Sequence, residues 1–483
     1  MMQKQHYFKT VFVVLFSLSL CMSAFAGSGA FEKKFNALVK QHIPNSAIGL
    51  IIQDPKTGKV VFEKNAEENF CPASNTKLFT ASAALKFFGP NFQYQTSLHA
   101  DLNKTQKGSL HDHIYLVFRG DPSLTVEDLD DLFKHLREKG VKEINGNVVV
   151  DDRAFEEPFY APGWTLDSLA WYYSAPITAI ILNENKVRYK LDKANELNEI
   201  IHVAQADETL PTFPLKAHVA AVTTEESEKS CQFDVSVKNN EILMGGCWPI
   251  EKTPTTIELA IDDPRALAKA QILKSLKEYE INLTGDIIFA PAARQIPVVS
   301  VKRSPPLKDL LFEVLAESNN IYAESLTKAL GIAYLGRGTF QAGIIGMQEV
   351  LKRDSHLEFS QAKFSDGSGQ SRYNLVSPYL IAQLLQHMYH DPDFGVFYDA
   401  LSKAGESGTL AERLKGKEVN GSLIGKTGTI TGVSALSGYF KGKDGKEYLF
   451  SMLINQSTKN SYAIRAFEDK LCQMMMDESW GKS

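Results

Sequence analysis

The chain has 483 residues, 44% of them hydrophobic, and a formal net charge of −5 at pH 7. This length and apolar content are sufficient for a large core divided over two or three domains. The net charge is mildly negative and the sequence has no basic stripe, so we expect no nucleic acid partner. The cysteines lack metal-ligand spacing, and we expect no metal and no other cofactor.

The first residues have the pattern of a signal peptide. Lys4 and Lys9 precede an apolar run at 11–20, and Ala24-Phe25-Ala26 fits a cleavage site for signal peptidase. The apolar run is too short for a comfortable membrane span. We therefore predict a signal peptide over residues 1–26, secretion across the inner membrane, and a periplasmic location. No later apolar run reaches spanning length, so we expect no transmembrane anchor in the mature chain.

Four cysteines remain after this segment, and two of them are candidates for a disulfide. Cys231 and Cys247 bracket a predicted strand pair, and an oxidising compartment would permit a bridge between them. Two buried free thiols are the alternative. Cys71 lies close to Ser74, but no histidine is near it in the sequence, so a cysteine nucleophile is not expected.

The elements that follow alternate between helices and strands. A helix and two strands open the mature chain, and a second helix begins near Ser74. A helix that leads into a Gly-Asn or Gly-Asp strand occurs twice, at 126–150 and again at 265–289, and short alternating strands fill the stretch between these units. From about 298 the chain is mainly helical, until it closes with two strands and an amphipathic helix.

This order predicts nested domains rather than domains in tandem. Both ends of the chain supply helix and antiparallel strand, which is most simply explained by one catalytic domain made of 27–87 and 298–483. An α/β domain made of 88–172 and 255–297 is then inserted into it. A small β-rich domain at 173–254 is in turn nested in the insert.

The stretch Cys71–Thr80 carries the first candidate chemistry. Pro72 lies where a helix can begin, and the apolar run after Lys77 is rich in helix formers. Residues three apart on a helix share a face, so the Lys77 amine can reach the Ser74 hydroxyl. A serine hydroxyl is a poor nucleophile until a base takes its proton, and a neutral lysine can be that base. Ser74 and Lys77 are therefore candidate catalytic residues.

The difficulty is the charge of the lysine. A free lysine has a pKa of ~10.4, so only about one in a few thousand is neutral near pH 7. Burial lowers this pKa, whereas the helix N-terminus disfavours the cation by only roughly 0.3–1 kcal/mol. We therefore expect a second cation elsewhere in the chain to lower the pKa of Lys77 further.

Two later motifs complete a known set. Ser318-Asn319-Asn320 lies between two predicted helices, and Lys426-Thr427-Gly428 lies in a strand-like run. Ser-x-x-Lys, Ser-x-Asn and Lys-Thr-Gly in this order are the motifs of penicillin-binding proteins and serine β-lactamases, which this chain resembles. Two copies fail the test of order: Lys56-Thr57-Gly58 precedes Ser74, and no Ser-x-Asn lies between Ser325-x-x-Lys328 and Lys426.

The chemistry of the set is consistent. Lys426 supplies the second cation and can also attract a substrate carboxylate, to which Thr427 adds a hydroxyl donor. The backbone N–H groups of Ser74 and Thr429 can form an oxyanion hole. Ser318 can relay a proton to the leaving amine, and Asn320 can bind Lys77 and a substrate amide.

The gap of 241 residues from Lys77 to Ser318 is much longer than in a β-lactamase or a simple carboxypeptidase. The whole mature chain resembles the low-molecular-mass class C penicillin-binding proteins, the D-alanyl-D-alanine carboxypeptidase/endopeptidase family. The resemblance implies an α/β fold: a penicillin-binding, β-lactamase-like domain with an antiparallel sheet flanked by helices, a helical cluster, and a nested insertion. It also implies hydrolysis of peptidoglycan stem peptides through an acyl-enzyme on Ser74, and covalent inhibition by β-lactam antibiotics such as penicillin.

Three positions bear on substrate preference. Arg372 follows the glycine-rich turn 366–369 and is predicted to bind a carboxylate of the stem peptide, with a surface salt bridge as the alternative. Gln370 stands where the family usually has an apolar residue, and Phe159 lies where some relatives carry an acid that reads the substrate's side chain.

Two other functions remain to be compared with the peptidase. A serine β-lactamase needs a fast deacylation base, for which the sequence offers no candidate. A non-catalytic penicillin-binding sensor would not need an activated nucleophile. The sequence leaves open the ratio of endopeptidase to carboxypeptidase activity, the oligomeric state and the role of the inserts.

Overall fold

The computed structural model describes residues 28–416, 419 and 421–480. The predicted signal peptide, residues 1–26, lies outside the described residues. In the described part the α-helices are Ser28–His42, Thr76–Phe88, Val126–Glu138, Thr224–Lys229, Pro264–Glu278, Leu307–Leu315, Asn320–Leu335, Phe340–Ser355, Pro378–Tyr389, Phe394–Asp399 and Ser461–Asp477. None of the helices in these ranges has both the length and the apolar character needed to cross a membrane.

One antiparallel sheet, here called the central sheet, is built from both ends of the chain. Its six strands lie in the spatial order Val60–Lys64, Ala47–Gln53, Glu447–Asn455, Val433–Lys441, Leu423–Ile430 and Ser402–Lys403. Each neighbouring pair is antiparallel. Strands from the N-terminal and the C-terminal part of the chain therefore lie in one layer.

Helices cover both faces of the central sheet. Side chains alternate between the two faces of a strand, and in the strand 47–53 this alternation is visible because Ile48, Leu50 and Ile52 enter one core while Ile51 enters the other. The first core lies under the N-terminal and C-terminal helices, which pack on each other. The second core contains the helix after Ser74 and the helices at 320–335 and 340–355.

A second, five-stranded sheet is made by the inserted stretch. Its strands lie in the order Ile287–Phe289, Val148–Asp151, Ile114–Val117, Gln95–His99 and Val298–Arg303. The two strands that follow the repeated helix pattern pair in parallel, with Ile287 opposite Val148. This pairing supports the proposed inserted domain, which we extend to about Arg303 because the last strand belongs to its sheet.

The remaining strands form small sheets: Lys186–Leu191 with Val203–Gln205 and Thr255–Ala260; Leu215–Ala217 with Asp234–Lys238 and Glu241–Gly245; Ala220–Val222 with Cys247–Pro249; and Thr105–Gln106, Ser109–Leu110, Glu143–Ile144 and Asn282–Leu283. A disulfide joins Cys231 to Cys247, which decides between the alternatives left open by the sequence.

Candidate active site

Ser74 lies in a single 3₁₀ turn, Ala73–Asn75, here called the serine turn, immediately before the helix Thr76–Phe88. The turn is anchored to the central sheet, because Asn75 Nδ2 donates to Ser437 Oγ over 2.7 Å. Ala73 has a φ of +46°, a conformation that costs a residue with a side chain of the order of 1–3 kcal/mol. The surrounding contacts therefore hold the serine turn in a fixed position.

The amine of Lys77 makes three contacts that place it beside Ser74. Its Nζ donates to Ser74 Oγ over 3.0 Å, to Asn320 Oδ1 over 2.6 Å and to the Ser368 carbonyl over 2.9 Å. Lys77 has no exposed surface, whereas Ser74 is half-buried and lines the cleft. The predicted pairing of hydroxyl and amine thus exists in the folded chain.

Burial lowers the pKa of Lys77 to about 7, against the opposing effect of the Glu324 and Asp366 carboxylates. An amine with this pKa is neutral in a substantial fraction of molecules near pH 7, as a general base must be. Burial, which was expected to lower the pKa of Lys77, is therefore the largest influence on it.

Lys426 lies on the strand Leu423–Ile430, here called the KTG strand, and is fully buried. Its Nζ donates to the Thr427 carbonyl over 2.9 Å. Burial and repulsion by Lys77 lower the pKa of Lys426 well below its usual value. Coulomb repulsion is mutual, so an ammonium on Lys426 would disfavour one on Lys77. The influences on the pKa of Lys77 are nevertheless burial, Glu324 and Asp366, and the expected second cation is not among them.

The KTG strand packs directly against the serine turn. A Cβ added to Gly428 would lie 2.9 Å from the Ser74 nitrogen and 3.0 Å from the Pro72 carbonyl oxygen, so a glycine is needed here. The close approach brings the backbone of Ser74 near the backbone of Thr429. The N–H groups of these two residues were predicted to form the oxyanion hole. Thr427 Oγ1 is 2.7 Å from Thr409 Oγ1, a neighbour that the motif does not reveal.

The Ser-x-Asn motif lies on the other side of the cleft. Ser318 precedes the helix Asn320–Leu335, here called the SxN helix, and has a φ of +63°. Both Ser318 and Asn320 line the cleft. While the Asn320 oxygen accepts from Lys77, its Nδ2 donates to the Tyr173 carbonyl and to Gln370 Oε1, each over 2.8 Å.

Sequence reasoning did not assign Gln370 a role, and the structure places it in this network. Besides accepting from Asn320, it donates to Ser174 Oγ and, over 3.4 Å, to Ser168 Oγ. The only signal in the sequence was that a polar residue stands at a position where the family usually has an apolar one.

Six predicted residues line one cleft of about 610 Å³: Ser74, Ser318, Asn320, Arg372, Thr427 and Thr429. This volume suits a ligand of the size of a short peptide. The Arg372 guanidinium donates to the Thr431 carbonyl over 3.1 Å. Asp167 and Glu317 also line the cleft, whereas the centre of the Phe159 ring lies 5.4 Å from the Lys328 amine, so the acids of this cleft come from other positions.

The two motif copies rejected by their order are also separated from this site. Ser325 Oγ donates to the Gly120 carbonyl rather than pairing with Lys328, whose amine donates to the carbonyls of Glu156, Pro158 and Ile177. Lys56-Thr57-Gly58 lies in the turn between the first two strands of the central sheet.

The chain matches the model of the "D-Ala-D-Ala carboxypeptidase 3 (S13) family" over residues 32–475. It is 32% identical to the D-alanyl-D-alanine carboxypeptidase of Actinomadura sp. (strain R39), over 84% of this chain and 77% of that protein.

Two solved structures of penicillin binding protein 4 (dacB) from Haemophilus influenzae have the same fold. One superimposes with a TM-score of 0.83 at 27% identity, and the other, complexed with a β-lactam, with a TM-score of 0.78 at 26% identity; each match covers 91% of this chain and 99% of that one. The predicted fold class, a penicillin-binding and β-lactamase-like α/β fold, is confirmed by these matches. The chain therefore belongs to the D-Ala-D-Ala carboxypeptidase 3 (S13) family, as a class C penicillin-binding protein and a serine D-Ala-D-Ala carboxypeptidase.

Proposed function

We propose that Ser74 is the nucleophile and neutral Lys77 the general base of this carboxypeptidase. Ser74 Oγ attacks the carbonyl carbon that precedes the terminal D-alanine, and the Lys77 amine takes the hydroxyl proton. The observation that carries the proposal is the position of the buried Lys77 Nζ, 3.0 Å from Ser74 Oγ and 2.6 Å from Asn320 Oδ1.

Collapse of the tetrahedral intermediate breaks the carbon–nitrogen bond. The leaving D-alanine amine must gain a proton, for which we propose Ser318 as the relay, since it lines the same cleft as Ser74. The backbone N–H groups of Ser74 and Thr429 stabilise the oxyanion, a contribution whose loss typically costs ~10²–10³ in kcat. Water then attacks the ester carbonyl, which releases the shortened peptide and restores the Ser74 hydroxyl.

Lys426 and Thr427 are proposed to bind the carboxylate of the terminal D-alanine. Both lie on the KTG strand, and Thr427 lines the cleft beside Ser74. A carboxylate that enters the site favours the ammonium form of Lys426, so the two form an ion pair when the substrate binds, and Thr427 adds a hydroxyl donor. Gly428 lets the KTG strand pack closely on the serine turn, which keeps Lys426 and Thr427 beside Ser74.

The proposed substrate is the stem peptide of peptidoglycan. Arg372 and Asp167 are among the charged residues that line the cleft, together with Glu317, Arg413 and Arg465, so the cleft offers cationic and anionic groups to the peptide. A side chain that ends in both an amine and a carboxylate, such as that of diaminopimelate, matches the pair of Arg372 and Asp167. Periplasmic action follows from the proposed signal peptide and from the substrate.

Endopeptidase action and β-lactam inhibition are proposed for the same site. A cleft of about 610 Å³ has room for a branched, cross-linked substrate as well as a linear end. The relative complexed with a β-lactam supports acylation of Ser74 by penicillin, which mimics the D-Ala-D-Ala end.

Labelling with penicillin, followed by peptide mapping by mass spectrometry, tests the nucleophile. The adduct is expected on the Ser74 peptide, and Ser74→Ala should lose both the label and peptide hydrolysis. The buried Ser325, which also has a lysine three residues later, provides a control, and Ser325→Ala should still be labelled. Label on Ser325, or full labelling of Ser74→Ala, would reject the proposal.

Turnover of a D-Ala-D-Ala peptide compared with turnover of penicillin separates the peptidase from a β-lactamase and a sensor.

A further inference from the structure

Glu324 is a fully buried carboxylate for which the mechanism above has no role. It lies on the SxN helix, one turn after Asn320, and has no exposed surface. Its oxygens accept from the Gly367 N–H over 3.0 and 3.1 Å and from the Ser368 N–H over 2.7 Å. Burying a carboxylate is costly unless donors satisfy it, and here two backbone donors do so.

These donors belong to the segment that holds the base. The Ser368 carbonyl accepts from Lys77 Nζ over 2.9 Å, so one residue is bound by Glu324 through its N–H and by Lys77 through its C=O. The SxN helix thus acts on Lys77 twice: directly through Asn320, and one turn later through Glu324 and Ser368.

The same segment also packs on the nucleophile. A Cβ added to Gly369, whose φ is +87°, would lie 1.7 Å from the Ala73 carbonyl oxygen. On its other side, Thr80 Oγ1 donates to the Gly367 carbonyl over 2.8 Å. A displacement of this segment would therefore move the serine turn and the acceptor of Lys77 together.

We propose that Glu324 is a positioning residue for acylation, which fixes the Ser368 carbonyl on the Lys77 amine and also acts on that amine through its charge. The inference rests on the proposed function, because it takes Lys77 as the base. Glu324 lies outside the three motifs, and the inference adds it to the ionisable groups that set the pH range in which acylation occurs.

The charges around Glu324 define the direction of the effect. Lys77 faces it from the helix Thr76–Phe88, Asp366 from the loop, and Lys328 lies one turn further along the SxN helix, while Lys426 faces Lys77 from the KTG strand. Burial and Asp366 raise the pKa of Glu324 to about 8, whereas the hydrogen bonds that its oxygens accept from the Gly367 and Ser368 N–H groups favour the ionised form. When Glu324 is ionised it raises the pKa of Lys77, so removing its charge should lower that pKa.

The test is the rate of acylation by a fluorescent penicillin, measured from pH 5 to 10, in wild type and in Glu324→Gln. The variant keeps the side chain's size but loses the charge and one acceptor. We expect a maximal rate roughly 10- to 100-fold lower, because small displacements of catalytic groups have effects of this size. We also expect the midpoint of the rising limb to move to lower pH.

Asp151→Asn is the matched control. Asp151 is also a buried carboxylate that accepts from backbone N–H groups, those of Arg153 and Ala292, but it lies in the inserted sheet. It should leave the rate and the midpoint of the limb unchanged.

A lower rate in Glu324→Gln without a shift of the midpoint would show a merely structural role and overturn the proposal, as would an unchanged profile. If Glu324→Gln does not fold, Glu324→Asp is the second variant. It keeps the charge, but its shorter side chain moves the carboxylate away from the Gly367 and Ser368 N–H groups. It should lower the rate with little shift of the midpoint, and a wild-type rate would overturn the proposal. Absence of a Ser74 adduct in wild type would instead reject the proposed function itself.

Discussion

The Lys77 amine is 2.6 Å from Asn320 Oδ1, which is shorter than its 3.0 Å distance to the Ser74 hydroxyl. The proposed base is thus held by the SxN helix as closely as by the proposed nucleophile. Because Asn320 is neutral, it orients the amine without the full negative charge that would hold a proton on it.

Replacing this amide by a carboxylate should therefore impair acylation. Asn320→Asp puts a negative charge beside Lys77, raises its pKa, and is expected to move the rising limb of the acylation rate to higher pH. Asn320→Ala removes the acceptor without adding a charge and should lower the rate without an upward shift. Stopped-flow or gel-based labelling with fluorescent penicillin measures both. A downward shift in Asn320→Asp would contradict the account.

The charge of Lys426 is expected to shift the pKa of Lys77 in the opposite direction to the charge of Glu324. Removing its positive charge in Lys426→Gln ends the repulsion of the Lys77 ammonium, so the pKa of Lys77 should rise and the acylation limb should move to higher pH. Lys426→Arg keeps the charge and should retain more activity, although a planar guanidinium fits the site less well. A lower rate in Lys426→Gln with an unmoved limb would leave burial as the cause of the low pKa of Lys77, and Lys426 would serve only the substrate carboxylate.

Arg372 is predicted to select a charged stem peptide. Arg372→Ala should raise KM for a peptide that contains diaminopimelate more than for a neutral analogue, because only the former loses an ion pair. Asp167→Asn is the matched change on the anionic side of the cleft, and it should weaken binding of the substrate's amine. Steady-state kinetics on the two peptides provide the test. Equal effects of Arg372→Ala on both peptides would contradict a role in recognition.

Gln370 is expected to hold the Asn320 amide in the orientation that presents its oxygen to Lys77. Gln370→Leu, which restores the apolar character usual in the family, removes the acceptor of one Asn320 hydrogen bond and should lower the acylation rate by about 10-fold, the size of a loss of roughly 1.4 kcal/mol for a buried amide donor. The pH midpoint should stay in place, because no charge is changed. A wild-type rate in this variant would show that the contact of Asn320 with Tyr173 is sufficient.

The fold class and the motif residues were predictable from the sequence because each motif lies at a helix start or on a strand. Spacing alone placed Lys77 near Ser74, and chain order alone distinguished Ser74 from Ser325. The contacts of Gln370 and Ser368 were not predictable, because a loop far away in the sequence brings them to the site. Glu324 could have been suspected, since residues four apart on a helix share a face and Asn320 was already assigned.

The pH dependence of wild-type acylation by penicillin shows whether neutral Lys77 activates Ser74. We expect a rate that rises with pH and has its midpoint near pH 7, where the buried Lys77 amine loses its proton. A rate that is flat from pH 5 to 9, or a midpoint near the pKa of a free lysine, would contradict neutral Lys77 as the base that activates Ser74.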